Sequence, residues 1–194
     1  MLTEKLKKYN IILGSASPRR KELLKGIGLN FSIKITDKEE SYPTDLKDVQ
    51  IVEFLAKKKN KFLSKGLKSN DLLITADTIV SQQGEILHKP KDKNDAKNIL
   101  KKLSGNSHRV ITGICIKTLE KEVTFSSITT VHFNKLSTIE IEYYINNFNP
   151  FDKAGSYGIQ EWIGYIAIAK IEGSYNNVVG LPTADLYQKL KLFI

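Results

Sequence analysis

Apolar and polar positions along this chain follow two rhythms, one of period two and one near 3.6 residues. Together they divide it into short strands and amphipathic helices. Ile11-Ile12-Leu13 is an apolar run that ends in the small residues Gly14, Ser15 and Ala16. Pro18 then opens a pattern with Leu23, Leu24 and Ile27 on one side, which predicts strand, tight turn and helix with Ser17 as N-cap. Met1 to Lys8 reads as a short polar lead-in, and Gly26 and Gly28 close the helix. Phe31 to Ile35 alternates as a strand, Asp37 to Asp48 is a polar loop, and Val49 to about Leu63 has helical spacing. Asp71 to Val80 is a dense apolar run read as a buried strand, with Asp77 at or near its end. A turn at Gln82-Gln83-Gly84-Glu85 leads to Ile86 and Leu87, and Asp92 caps a helix through Leu103. Arg109–Thr118 and Glu122–Phe133 are long alternating runs, read as an antiparallel pair. Ser137 and Glu140 form a capping box for a helix through Ile141, Tyr144 and Ile145. Ile163 to Ile171 is read as a last strand, and Pro182 to about Leu192 as the closing helix. Early βα alternation followed by antiparallel runs predicts an α/β fold around a mixed sheet, in one domain spanning residues 1–194.

The first turn breaks a local rule. Arg19 and Arg20 stand in the opening turn of a helix, where a cation is disfavoured by ~0.3–1 kcal/mol. An external anion would offset that cost. The unpaired N–H groups of the helix start and the hydroxyls of Ser15 and Ser17 suit phosphate. Asp77 is the second anomaly, because a carboxylate in an apolar strand is expensive unless it is paired or holds a metal.

Composition narrows the classes. The net charge of +9, from 30 Lys and Arg against 21 Asp and Glu, favours acidic partners such as nucleotide phosphates. One cysteine, Cys115, excludes an intrachain disulfide and fits a reducing, cytoplasmic setting. No apolar run is long enough to span a membrane, and no signal peptide is visible. No P-loop, dinucleotide-binding turn or nucleophile elbow is present. His88, His108 and His132 lack metal-ligand spacing, and Cys115 reads as core. The remaining inventory is Arg19, Arg20, Lys59 and Lys89 as cations, Asp77, Glu40 and Glu39 as carboxylates, and two glycine-rich turns. That is an inventory for divalent-metal phosphoryl chemistry. A basic nucleic-acid-binding module is the competing class, but no RNA-recognition or zinc-finger pattern supports it.

Ser15-Ala16-Ser17-Pro18-Arg19-Arg20, Ala76-Asp77-Thr78, Lys89-Pro90, Leu103-Ser104-Gly105 and Thr112-Gly113 occur in that order. They are followed by Lys153-Ala154-Gly155-Ser156-Tyr157-Gly158-Ile159-Gln160 and by Glu172-Gly173-Ser174-Tyr175 with Asn177-Val178-Val179-Gly180-Leu181-Pro182. This series, covering nearly the whole chain, resembles the Maf family. The resemblance implies a two-lobed α/β fold around a long mixed sheet, related to inosine triphosphate pyrophosphatases. It also implies a nucleoside triphosphate pyrophosphatase that cleaves between the α and β phosphates. The Arg-Arg, Asp-Thr and Gly-Ile-Gln blocks resemble the branch acting on dTTP and UTP. A purine or 7-methyl-GTP pyrophosphatase and a regulatory cell-division protein are the alternatives. On this resemblance Asp77 is the proton acceptor, and Arg19, Thr78 and Gln160 select the base. Ser15, Arg20, Lys59 and Lys89 hold phosphates. Glu40, or Glu39 in its place, joins Asp77 in binding Mg²⁺, Mn²⁺ or Co²⁺, and the family expectation is a homodimer; the residues themselves lead us to expect a nucleoside triphosphate as partner, and neither stable nucleic acid nor membrane.

Overall fold

The computed structural model describes residues 1–36 and 41–194, so Glu39 and Glu40 lie outside the described residues. In chain order the elements are α1 (Leu2–Leu6), β1 (Asn10–Gly14), α2 (Pro18–Gly26), β2 (Ser32–Ile33), α3 (Val49–Leu63) and β3 (Asp71–Gln82). They continue with β4 (Glu85–Leu87), α4 (Lys93–Leu103), β5 (Ser107–Lys117), β6 (Glu122–Phe133) and α5 (Thr138–Phe148). Two 3₁₀ turns (Pro150–Asp152, Ala154–Ser156) precede α6 (Trp162–Ala167), β7 (Ile168–Glu172), α7 (Tyr175–Val179) and α8 (Thr183–Phe193).

Among the described residues the strands form one seven-stranded sheet in the order β2-β1-β3-β5-β6-β7, with β4 paired to β3. β1 runs parallel to β2 and to β3, while β3/β4 and β6/β7 are antiparallel, so the sheet is mixed as expected. The chain divides into two compact units. The first comprises residues 1–77, 112–127 and 180–194; the second comprises 78–111 and 128–179. β3, β5 and β6 therefore contribute residues to both.

In the first unit Leu13, Leu24, Leu72, Ile74, Ile114, Ile116, Leu186 and Leu190 form the main core. Leu2 and Leu6 belong to it, so the polar lead-in is a helix whose two leucines, four residues apart, share its buried face. The Phe31–Ile35 strand shrinks to Ser32–Ile33, both exposed at the edge of the sheet. β3 continues to Gln82, which makes Asp77 an interior strand residue.

In the second unit the run read as a strand from Ile163 begins as a helix. Ile163 and Ala167, four apart, are its buried face, and β7 starts only at Ile168. The capping box is formed: Ser137 Oγ accepts from the Glu140 N–H, and Glu140 accepts from the Ser137 N–H at 2.7 Å. The Leu103-Ser104-Gly105 block closes α4 by long-range bonds, since Ser104 Oγ accepts from Leu136 N at 2.7 Å and Gly105 N donates to Asn134 O at 3.1 Å. No helix among the described residues is long and apolar enough to cross a membrane.

Candidate functional site

Gly14 ends β1, and the chain turns through Ser15–Ser17 into α2. Ser17 Oγ accepts from the backbone N–H of Arg20 at 3.4 Å, the predicted N-cap, with Pro18 at the first helical position. Ser15 Oγ accepts from the Ser17 N–H at 3.3 Å and from Arg20 Nη1 at 3.4 Å. Arg20 also donates from Nε to the Gly180 carbonyl at 2.9 Å and from Nη1 to the Ala76 carbonyl at 2.8 Å. A planar fork that spans two carbonyls in this way ties the turn to the residue preceding Asp77. Arg20 is therefore a brace of this turn as well as a cation beside it. Arg19 is half-buried next to it.

Asp77 is 7% exposed, and Lys59 Nζ donates to its Oδ1 at 2.5 Å. The ammonium comes from α3, which is seated on the sheet at three points. Thr75 Oγ1 donates to Ala56 O at 2.8 Å. Asn60, fully buried, donates from Nδ2 to Thr75 Oγ1 at 3.3 Å and to Cys115 O at 3.4 Å. Gly113 lies so close to the helix that a Cβ there would stand 2.4 Å from the carbonyl carbon and oxygen of Val52. These contacts set the height of α3 over β3 and β5, and hence where Lys59 reaches. Cys115 sits beneath them, its thiol pushed up to about 11 by burial, which makes it an inert core residue.

The second unit carries Thr78, half-buried in β3, Lys89, exposed after β4, and Gln160, exposed at the end of the first glycine-rich turn. Tyr157 of that turn is buried against His108, and the two share a hydrogen bond, Nε2 to Oη, of 2.7 Å. Burial, then the charge of His132, lowers the His108 pKa from 6.5 to about 4, so this imidazole is neutral at pH 7. The other glycine-rich turn is a bracket. Asn177 Nδ2 donates to Val110 O and to Thr129 Oγ1, both at 3.0 Å, and Ser174 N donates to Thr129 Oγ1 at 3.1 Å.

A family model described as Maf-like protein matches residues 10–193. The chain belongs to the Maf family. Among its relatives, the dTTP/UTP pyrophosphatase of Flavobacterium johnsoniae is 49% identical over 194 residues, covering 100% of both chains. That of Flavobacterium psychrophilum is 50% identical over 187 residues, 96% of each chain. That of Porphyromonas gingivalis strain ATCC 33277 is 49% identical over 195 residues, covering 99% of this chain and 98% of its own. The Ham1 protein of Staphylococcus aureus superposes with a TM-score of 0.53 at 16% identity, over 93% of this chain and 99% of that one, and shares the fold.

Of the residues that the Maf resemblance assigns, the first unit draws four together. Ser15 bonds Arg20, Arg20 holds the carbonyl before Asp77, and Asp77 pairs with Lys59. Thr78, Lys89 and Gln160 belong to the other unit, and Glu40 lies outside the described residues. Among the described residues no three His, Cys, Asp or Glu side chains cluster as a metal cage. A hard cation such as Mg²⁺ binds through one or two carboxylates plus substrate phosphates, and Asp77 offers one carboxylate, whose Oδ1 already accepts from Lys59.

Sequence reasoning missed Asn60, which ties α3 to Thr75 and Cys115 in the first unit, and Tyr144 and Glu161, which bond each other beside Gly158 in the second. The available signals were a lone amide on the apolar face of α3 and an acid directly after Gln160.

Proposed function

We propose that this chain hydrolyses dTTP and UTP to the nucleoside monophosphate and pyrophosphate. The observation that carries the reading is the Lys59–Asp77 pair set beside the Ser15–Arg20 turn, in a chain about half identical, end to end, to relatives of that name. Asp77 takes the proton from the attacking water. Lys59 engages Oδ1 and so orients the carboxylate. Ser15, Arg20, Lys59 and Lys89 neutralise phosphate oxygens, where charge develops as the α–β bond breaks. Arg19, Thr78 and Gln160 select the base. A divalent cation (Mg²⁺, Mn²⁺ or Co²⁺) held by Asp77 with Glu40 supplies Lewis-acid stabilisation of the phosphates when bound. Cytoplasmic action as a homodimer belongs to the same proposal, and light scattering tests the dimer.

The deciding experiment incubates the protein with Mg²⁺ and dTTP, UTP, CTP, GTP, 7-methyl-GTP or ITP, and measures pyrophosphate release. Turnover of dTTP and UTP is expected, falling about 10²–10⁴-fold in Asp77→Asn, the range for loss of a general base. Release of orthophosphate instead, or an Asp77→Asn variant with undiminished turnover, overturns it.

A further inference from the structure

From Lys153 to Ile159 every residue is buried except Ala154, which is half-buried; Gln160 then stands exposed. Gly158 to Glu161 is a β-turn closed by the Glu161 N–H donating to Gly158 O at 3.0 Å, with Ile159 and Gln160 as its central residues. Its other side is closed too, because the Gly158 N–H donates to Tyr144 Oη at 3.0 Å. Tyr144, fully buried in α5, donates its own hydroxyl hydrogen to Glu161 Oε2. Glu161 Oε1 is held at 2.9 Å by Lys153 Nζ, whose side chain is 9% exposed and which also pairs with Asp152 Oδ1 at 2.7 Å. The carboxylate lies over Gly158, where a Cβ would meet Glu161 Cδ at 2.7 Å. Tyr144, Glu161 and Lys153 thus form a closed polar network around one turn, with each head group engaged.

Such a network is a costly way to obtain stability, since a buried ion pair is often matched or bettered by apolar residues of similar volume. Once satisfied, it yields rigidity. Here the rigid element presents one amide. A carboxamide carries a donor and an acceptor, and turning it over reverses the pattern it offers. A 4-keto pyrimidine presents an acceptor at position 4, whereas cytosine presents an amino donor there. A fixed backbone confines that amide to the positions its own side-chain torsions reach, whereas a mobile loop would let it follow either base.

We propose that Tyr144 and Glu161, anchored by Lys153, are specificity-positioning residues. They hold the backbone of the Gly158–Glu161 turn so that Gln160 favours 4-keto over 4-amino pyrimidine triphosphates. The inference rests on the proposed role of Gln160 in base selection.

The test compares kcat/KM for UTP and CTP in the unaltered chain, Gln160→Ala, Tyr144→Phe and Glu161→Gln, with melting temperatures measured alongside. Tyr144→Phe deletes one oxygen and keeps the ring that stacks on Phe148 at 5.3 Å. It should lower the UTP:CTP ratio about tenfold, chiefly through a higher KM for UTP and improved use of CTP, with kcat for UTP little changed. Glu161→Gln keeps the side-chain volume, removes the charge that Lys153 grips, and should shift the ratio in the same direction. It also carries the test if the phenylalanine variant does not fold. A lower ratio in Gln160→Ala with an unchanged ratio in both folded positioning variants overturns the clamp alone. An unchanged ratio in Gln160→Ala overturns the base-selection role and the clamp with it. Absence of pyrophosphate release from every triphosphate by the unaltered chain overturns the enzymatic reading itself.

Discussion

Gly113→Ala should damage the site from the far side of α3. The added Cβ would lie 2.4 Å from Val52 C and O and 2.7 Å from Glu53 N, all backbone atoms of a helix that cannot rotate aside. Non-bonded carbons settle at about 3.5 Å, so α3 must rise by about 1 Å over the strand. Lys59 lies seven residues beyond Val52, on the same side of the helix, and rises with it. Its 2.5 Å bond to Asp77 would stretch beyond the hydrogen-bonding range of about 3.2 Å. Overpacking of this kind costs about 1–3 kcal/mol. For a chain of this size that lowers Tm by about 2–4 °C per kcal/mol. Misplacing a catalytic constellation by 1 Å can cost about 10²-fold in rate. The assay is a thermal melt paired with steady-state pyrophosphate release from dTTP. Gly26→Ala, at the last residue of α2 with nothing within 4 Å of its Cβ, serves as control and should be neutral or slightly stabilising. A Gly113→Ala variant that melts within a degree of the parent and keeps its turnover would refute the packing argument. A lowered Tm with full turnover would refute the link from α3 height to Lys59.

Two further perturbations test other parts of the framework. His108 is buried neutral with its pKa lowered to about 4, so below pH 6.5 the unfolded chain takes up a proton that the folded chain refuses. Stability from this group is complete above pH 6.5 and is lost as pH falls toward 4, by about 2 kcal/mol at pH 5; urea unfolding at pH 7.5 and 5 should show a shallower acid loss in His108→Phe, and identical losses would refute it. Arg20→Lys removes a fork that no single ammonium can replace between Gly180 O and Ala76 O. It should cost about 1.5–3 kcal/mol and slow dTTP turnover, and parental stability and turnover would refute the bracing role.

Local chemistry was legible wherever one short segment determines it. Ser17 with Pro18, Asp92, and Ser137 with Glu140 marked helix starts because a capping side chain bonds backbone two or three residues away. The bounds of α3 followed from its apolar period in the same way. Where an apolar run had neither a cap nor a clear period, the reading failed. The Ile163–Ile171 run is almost continuously apolar and fits a strand or a helix, and its first half is the helix α6, with Ile163 and Ala167 on the buried side. Leu2 and Leu6 stand in what reads as a polar lead-in, and they are core residues because Leu190 and Phe193 of α8 join the same cluster.

The site divides along the same line. The sequence by itself determined the kinds of group available: a hydroxyl-rich turn before an Arg pair, an aspartate at or near the end of an apolar strand, and a lysine cluster on one helix. Which lysine meets Asp77 was a tertiary decision. Lys57 and Lys61 are exposed, Lys58 donates to Ser41 O at 2.7 Å, and Lys59 alone of the four pairs with the buried carboxylate. A helical period states which face is apolar, but neighbouring lysines at its rim differ by only 100° of rotation. The height and angle at which α3 crosses the sheet select among them, and those are set by Gly113, Thr75 and Asn60. The partners there are far apart in sequence, so no local pattern could have announced them.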